Sequence, residues 1–79
     1  MSEISAEIGK RIRNFRRMRK LTLEELSKII CKSKSTISKY EKGEISIDVE
    51  TLYEIAGALK IHVEQLLYCT PQRASLMSD

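Results

Sequence analysis

The stretch TLEELSKIICKSKSTISKYEKG, residues 22–43, holds two short amphipathic segments with only three residues between them. Thr22 is followed three residues later by Glu25, the spacing of a capping box, in which each side chain accepts a hydrogen bond from the other residue's backbone N–H. A helix is therefore predicted from Leu23 to near Ile30, with Leu26, Ile29 and Ile30 on its apolar face. Ser27 is small enough on that helix to let a neighbour approach closely. Residues 31–33 form the turn. Ser33 is a good N-cap, with Thr36 three residues on, so a second helix is predicted from Lys34 to near Glu41. Ile37 and Tyr40 face inward on it, and Lys34, Ser35, Ser38 and Lys39 face outward. Gly43 stands where a helix C-terminus calls for a residue free to turn left-handed.

Helical periodicity continues on both sides. Upstream, Ile4, Ile8, Ile12 and Phe15 recur at helical spacing, so a helix is predicted from near Ser5. Its other faces carry Lys10, Arg11, Arg13, Arg17, Arg19 and Lys20. Downstream, residues 44–47 read as a loop, and Asp48 caps a helix lasting to near Leu59, with Val49, Leu52, Ile55, Ala56 and Leu59 as its stripe. After a break at 60–62, a last short helix over about 63–68 offers Val63, Leu66 and Leu67, and Pro71 ends it. No segment alternates as a strand does; EISIDV (44–49) comes nearest, and Asp48 serves better as a cap. The expected fold is all-α, a compact bundle of five short helices spanning residues 5–69. Residues 1–4 read as an N-terminal extension and 70–79 as a polar tail.

Composition narrows the function. A chain of 79 residues is one small domain with a thin core, burying about 60% of its unfolded surface. No apolar run approaches the roughly 20 residues of a membrane helix. The opening MSEISAEIGK has no apolar signal-peptide core, which points to the cytoplasm. One histidine and two cysteines without a CxxC spacing leave no zinc ligand set, and no cofactor or metal is expected. Cys31 and Cys69 read as reduced thiols, with redox sensing as the alternative. The lack of a nucleophile–base pair or a glycine-rich phosphate loop argues against an enzyme. Charge is split along the chain. Residues 10–42 carry twelve Lys or Arg against three acidic residues (+9), and the remainder carries two against eight (−6), which together give the net +3. A basic half of this kind suits a polyanionic partner.

Two helices joined by so short a turn make a helix-turn-helix unit, whose second helix lies in the major groove of DNA. Lys34 and Lys39 can donate to guanine O6 and N7, Ser35 and Ser38 can donate or accept, and Thr36 can also offer a methyl group. Over GKRIRNFRRMRKLTLEELSKIICKSKSTISKYEKG (9–43), VETLYEIAGALKI (49–61) and HVEQLLYCTP (62–71), the sequence resembles the phage-repressor and Cro (XRE-type) family of helix-turn-helix transcriptional regulators. The resemblance implies a lambda-repressor-like domain that binds double-stranded DNA. It implies base contacts from Lys34, Ser35 and Lys39, with Ser33, Thr36 and Ser38 as flanking contacts to base or backbone. Leu23 stands where the family commonly has a phosphate-binding Gln, so only its backbone N–H can serve. Lys42, Arg11 and Arg17 are further candidates for phosphate. Arg16 and Glu41 occupy positions that pair in many members, tying the first helix to the end of the third. Cys31 replaces the family's turn glycine, and a left-handed backbone there would cost about 1 kcal/mol. Ser27 replaces the usual Ala and needs a hydrogen-bond partner if buried. Lys60 replaces a common Gly.

The function expected is sequence-specific DNA binding by a repressor. Two copies would join through the C-terminal helices, with Ile61, Val63, Leu66, Leu67 and Tyr68 as the dimer surface, and read a palindromic operator through major grooves about 34 Å apart. Tyr53 is a further candidate for a partner surface. The alternative is a protein-interaction module on the same fold, such as an antitoxin. An unidentified regulatory protein is a possible partner in either case.

Overall fold

The computed structural model describes residues 3–67. Five helices follow one another: α1 (Glu3–Met18), α2 (Leu23–Ile30), α3 (Lys34–Lys42), α4 (Val49–Leu59) and α5 (Glu64–Leu67). No strand occurs among the described residues, and none of their helices is long and apolar enough to cross a membrane. The expectations for Tyr68, Cys69, Pro71 and the tail lie outside the described residues.

Two of the three N-caps read from the sequence, Thr22 and Ser33, are in place. The Glu25 N–H donates to Thr22 Oγ1 at 3.0 Å, and the Thr22 N–H donates to Glu25 Oε1 at 2.8 Å. At α3 the Thr36 N–H donates to Ser33 Oγ at 3.1 Å. Asp48 has the extended backbone of an N-cap, yet its side chain makes no cap hydrogen bond. The Thr51 hydroxyl is the main influence holding the Asp48 carboxyl below its usual range, and the positive charge of Lys32 adds to it. The first four helices close in one way, with an N–H reaching back five residues: Leu21 to Arg16 O (3.0 Å), Lys32 to Ser27 O (3.0 Å), Glu44 to Lys39 O (2.9 Å) and Ile61 to Ala56 O (3.0 Å). This closure needs a left-handed residue just before the donor. Gly43 supplies it once; Lys20 (φ 59°), Cys31 (φ 58°) and Lys60 (φ 60°) supply it elsewhere, at about 1–2 kcal/mol each for a residue with a Cβ.

Ile8, Ile12, Leu26, Ile30, Ile37, Tyr40, Leu52, Ile55, Ala56, Leu59 and Leu66 form one buried core. Ser27 is buried with them, its hydroxyl donating to Glu24 O at 2.7 Å, which supplies the partner it needed. Helices α1 and α3 pack most closely. A Cβ added at Gly9 would lie 2.3 Å from the Tyr40 carbonyl oxygen, and one at Gly43 would lie 2.7 Å from Ala6 Cα.

Several expectations need correction. Helix α1 begins at Glu3, not near Ser5, so part of the supposed extension is helical. Ile4 stays on the stripe but a turn beyond the packed region, and it is exposed. Ile29 is 54% exposed. Residues turn about 100° apiece around a helix, so the buried set Leu26, Ser27 and Ile30 centres a face from which Ile29 points well away. Val49, at the first position of α4 and at the edge of its stripe, is exposed too. Helix α5 is a single turn. Leu66 is fully buried in its own core, so it is unavailable to a partner; Ile61 and Val63 are half-buried against that core.

Candidate nucleic-acid interface

The outer side of α3 is built from its own cap. Ser33 and Thr36 share a hydrogen bond between hydroxyls at 2.8 Å, besides the backbone bond above, so both side chains fix the start of the helix. Lys34, Ser35 and Lys39 are exposed, and Thr36 and Ser38 are half-buried. Ile37 and Tyr40 are buried on the opposite side. Basic side chains thus project from a helix that its inner face holds in place.

Arg16 reinforces that hold. Its Nε donates to Glu41 Oε2 at 2.6 Å, one terminal nitrogen to Glu41 Oε1 at 3.1 Å, and the other to the Leu21 carbonyl at 2.7 Å. Both side chains are nearly buried, with 12% and 7% exposed. A planar guanidinium meeting a carboxylate edge-on is the strongest ion-pair geometry available to side chains. One side chain therefore ties together α1, the corner before α2, and the last turn of α3.

Two grooves flank α3. The larger, about 620 Å³, lies where the end of α1, the start of α2 and the start of α3 meet, and is lined by Arg16, Arg17, Lys20, Leu21, Thr22, Leu23, Glu24 and Lys34. The second, about 200 Å³, is lined by Arg13, Arg16, Leu23, Ser38, Glu41 and Lys42. Leu23 belongs to both. Arg17 and Lys42 thus lie on the α3 side, one in each groove, and Arg13 and Lys20 join them. The expected grouping separates at Arg11. That guanidinium donates to the carbonyls of Leu66 (3.0 Å) and Leu67 (3.2 Å), pairs with Glu7 at 3.7 Å, and lines neither groove. Its work is to satisfy the last carbonyls of α5, which a one-turn helix cannot pair internally. Arg19 does the same for α4, donating to Leu59 O (2.8 Å) and Lys60 O (3.1 Å). Sequence reasoning missed these clamps, since their partners lie 40–56 residues away along the chain.

A family model for helix-turn-helix proteins matches residues 12–66. None of the curated proteins compared with the chain matches it. Among solved structures, the clp gene regulator ClgR from Corynebacterium glutamicum is 27% identical and superposes with a TM-score of 0.81, over 84% of this chain and 70% of that one. The hypothetical transcription factor NHTF from Neisseria (24% identity, TM-score 0.82, 95% of this chain and 85% of that one) shares the fold. So does the restriction-modification controller protein C.AhdI from Aeromonas hydrophila (24% identity, TM-score 0.75, 77% of this chain and 92% of that one). The matched region contains α2, the turn, α3 and both flanking grooves, and it covers well over half of the sequence. The chain belongs to the helix-turn-helix family HTH_3, as a DNA-binding transcriptional regulator.

Proposed function

We propose that the protein represses transcription by binding a palindromic operator as a homodimer, with α3 of each copy in the major groove. The observation that carries this reading is the outer face of α3. Lys34, Ser35 and Lys39 stand exposed on a helix held by a buried face and by the Arg16–Glu41 pair, with Thr36 and Ser38 beside them. A reading head has to be rigid as well as polar, because a base contact is worth its 1–3 kcal/mol only in the right geometry. The cationic grooves on either side suit the phosphates that border a major groove.

The dimer surface in this reading is smaller than the sequence alone suggests. With Leu66 committed to the core, Leu67 and Ile4 are the exposed apolar residues that line a shared groove, together with Glu7 and Arg11. Two copies would multiply the few base contacts that one α3 can make. The protein acts in the cytoplasm in this reading.

Selection of duplex DNA from a random pool, with sedimentation of the selected complex, tests the reading. The expected outcome is an inverted-repeat motif whose half-sites lie about one helical turn apart, bound by two chains. Enrichment of no motif would refute specific DNA binding. A monomer on a single half-site would refute the dimer. Binding that weakens steeply with salt separates DNA recognition from protein recognition on the same face.

A further inference from the structure

Lys20 is a lysine in a backbone conformation that favours glycine, and it lines the larger of the two grooves beside α3. Its φ of 59° closes the end of α1, where the Leu21 N–H reaches back to Arg16 O. Glycine would fill that role without strain. The side chain that replaces it is exposed and, among the described residues, has no ion-pair partner. Arg17 lines the same groove and is likewise exposed without a partner carboxylate, in contrast to Arg16, whose charge Glu41 takes up. Lys34 closes the groove from α3. The one acid in the wall, Glu24, is drawn toward Lys28 at 3.7 Å on the exposed side of α2. Leu23 lines the groove without a polar side-chain atom, so the unpaired cations able to grip an anion here come from the end of α1 and from Lys34.

We propose that Lys20 and Arg17 form a phosphate-binding station at the α1–α2 corner, which takes a backbone phosphate of the DNA strand flanking the groove that α3 reads. This rests on the DNA-binding reading above. The strained backbone at position 20 is kept because the cation it carries meets that phosphate. Lys60 gives the contrast. It has the same left-handed backbone (φ 60°) at the end of α4, but it lines a different surface, with Phe15, Met18, Arg19, Ile61 and Gln65. The two lysines therefore share one conformational cost and differ in what faces them.

The test measures the affinity of the full chain for duplex DNA selected by the wild-type protein, across a range of salt concentrations, for Lys20→Gly, Arg17→Gln and Lys60→Gly. Each phosphate neutralised contributes about 0.9 to the slope of log affinity against log salt. Lys20→Gly and Arg17→Gln are each expected to flatten the slope by about that amount, while the selected motif stays the same. Lys60→Gly is expected to keep the wild-type slope. Thermal melting of Lys20→Gly no lower than wild type shows that its loss of binding is not a loss of fold. A wild-type slope in both Lys20→Gly and Arg17→Gln would overturn the station while leaving DNA recognition by α3 intact. Equal flattening in Lys60→Gly would also overturn it, because the effect would then belong to general charge. A wild-type chain that selects no DNA would overturn the function and the station together.

Discussion

Arg16 meets the carboxylate of Glu41 along its edge, at 2.6 and 3.1 Å, from 25 residues away in the chain. The pair holds α3 against α1 at its C-terminal turn, and the other terminal nitrogen of Arg16 donates to Leu21 O. Because both side chains are largely out of water, losing one partner leaves a desolvated charge behind. Glu41→Gln or Arg16→Met is expected to destabilise the fold by about 3 kcal/mol, and the double variant by less than the sum. Urea denaturation of the four proteins measures the coupling. Additive losses would show that the pair acts as two independent groups.

Gly9 lets α1 touch the end of α3. Gly9→Ala is expected to lower stability by about 1–3 kcal/mol, since its Cβ would fall 2.3 Å from the Tyr40 carbonyl oxygen and 2.6 Å from that of Glu41. A backbone contact cannot swing aside as a side chain can. Gly57→Ala is the control, because its added methyl meets nothing within 4 Å. There the greater helix propensity of alanine is expected to raise the melting temperature.

Asp48 links stability to pH in the acid range. Its carboxyl is held below the usual value, chiefly by the Thr51 hydroxyl. A folded-state pKa below the unfolded one means that the unfolded chain binds the proton more readily. The stabilisation is therefore fully present above the unfolded pKa and is lost as pH falls through the folded one. Asp48→Asn is expected to show a smaller decline in stability between neutral and acid pH than wild type, with the difference confined to the carboxylate range. Denaturation midpoints across pH measure it, and parallel curves would remove Asp48 from the account.

Lys34 and Lys39 are expected to carry sequence preference. Lys34→Ala or Lys39→Ala is expected to relax one base position of the selected motif at a cost of about 1–3 kcal/mol. Lys42→Ala is expected to weaken binding evenly across sequences. Parallel DNA selections on the three variants distinguish the two patterns. Unchanged motifs from both Lys34→Ala and Lys39→Ala would remove those residues from base reading.

Much of the fold was legible because its signals are local. The Thr22–Glu25 box, the Ser33 cap and the Gly43 stop each join residues within one or two helical turns, so spacing alone reveals them. The apolar periodicity of α1, α3 and α4 located most of the core for the same reason. It misjudged Ile4 and Val49, because periodicity marks a stripe but not how much of that stripe a neighbouring helix covers.

The four arginines of α1, with Arg19 just past its end, show what spacing cannot tell. Arg11, Arg13, Arg16, Arg17 and Arg19 read alike as a basic helix surface. The fold sends Arg11 to the end of α5, Arg16 to Glu41 and Arg19 to the end of α4, and it leaves Arg13 and Arg17 lining the grooves beside α3. Sequence by itself determined the run of helices, the caps of α2 and α3 and which side of α3 faces outward, since i to i+3 and i+4 geometry sets all of these. Tertiary structure alone decided which cations are taken up by helix-end carbonyls and by the Glu41 carboxylate and which remain exposed beside α3, because those partners come close only when distant helix ends are packed together.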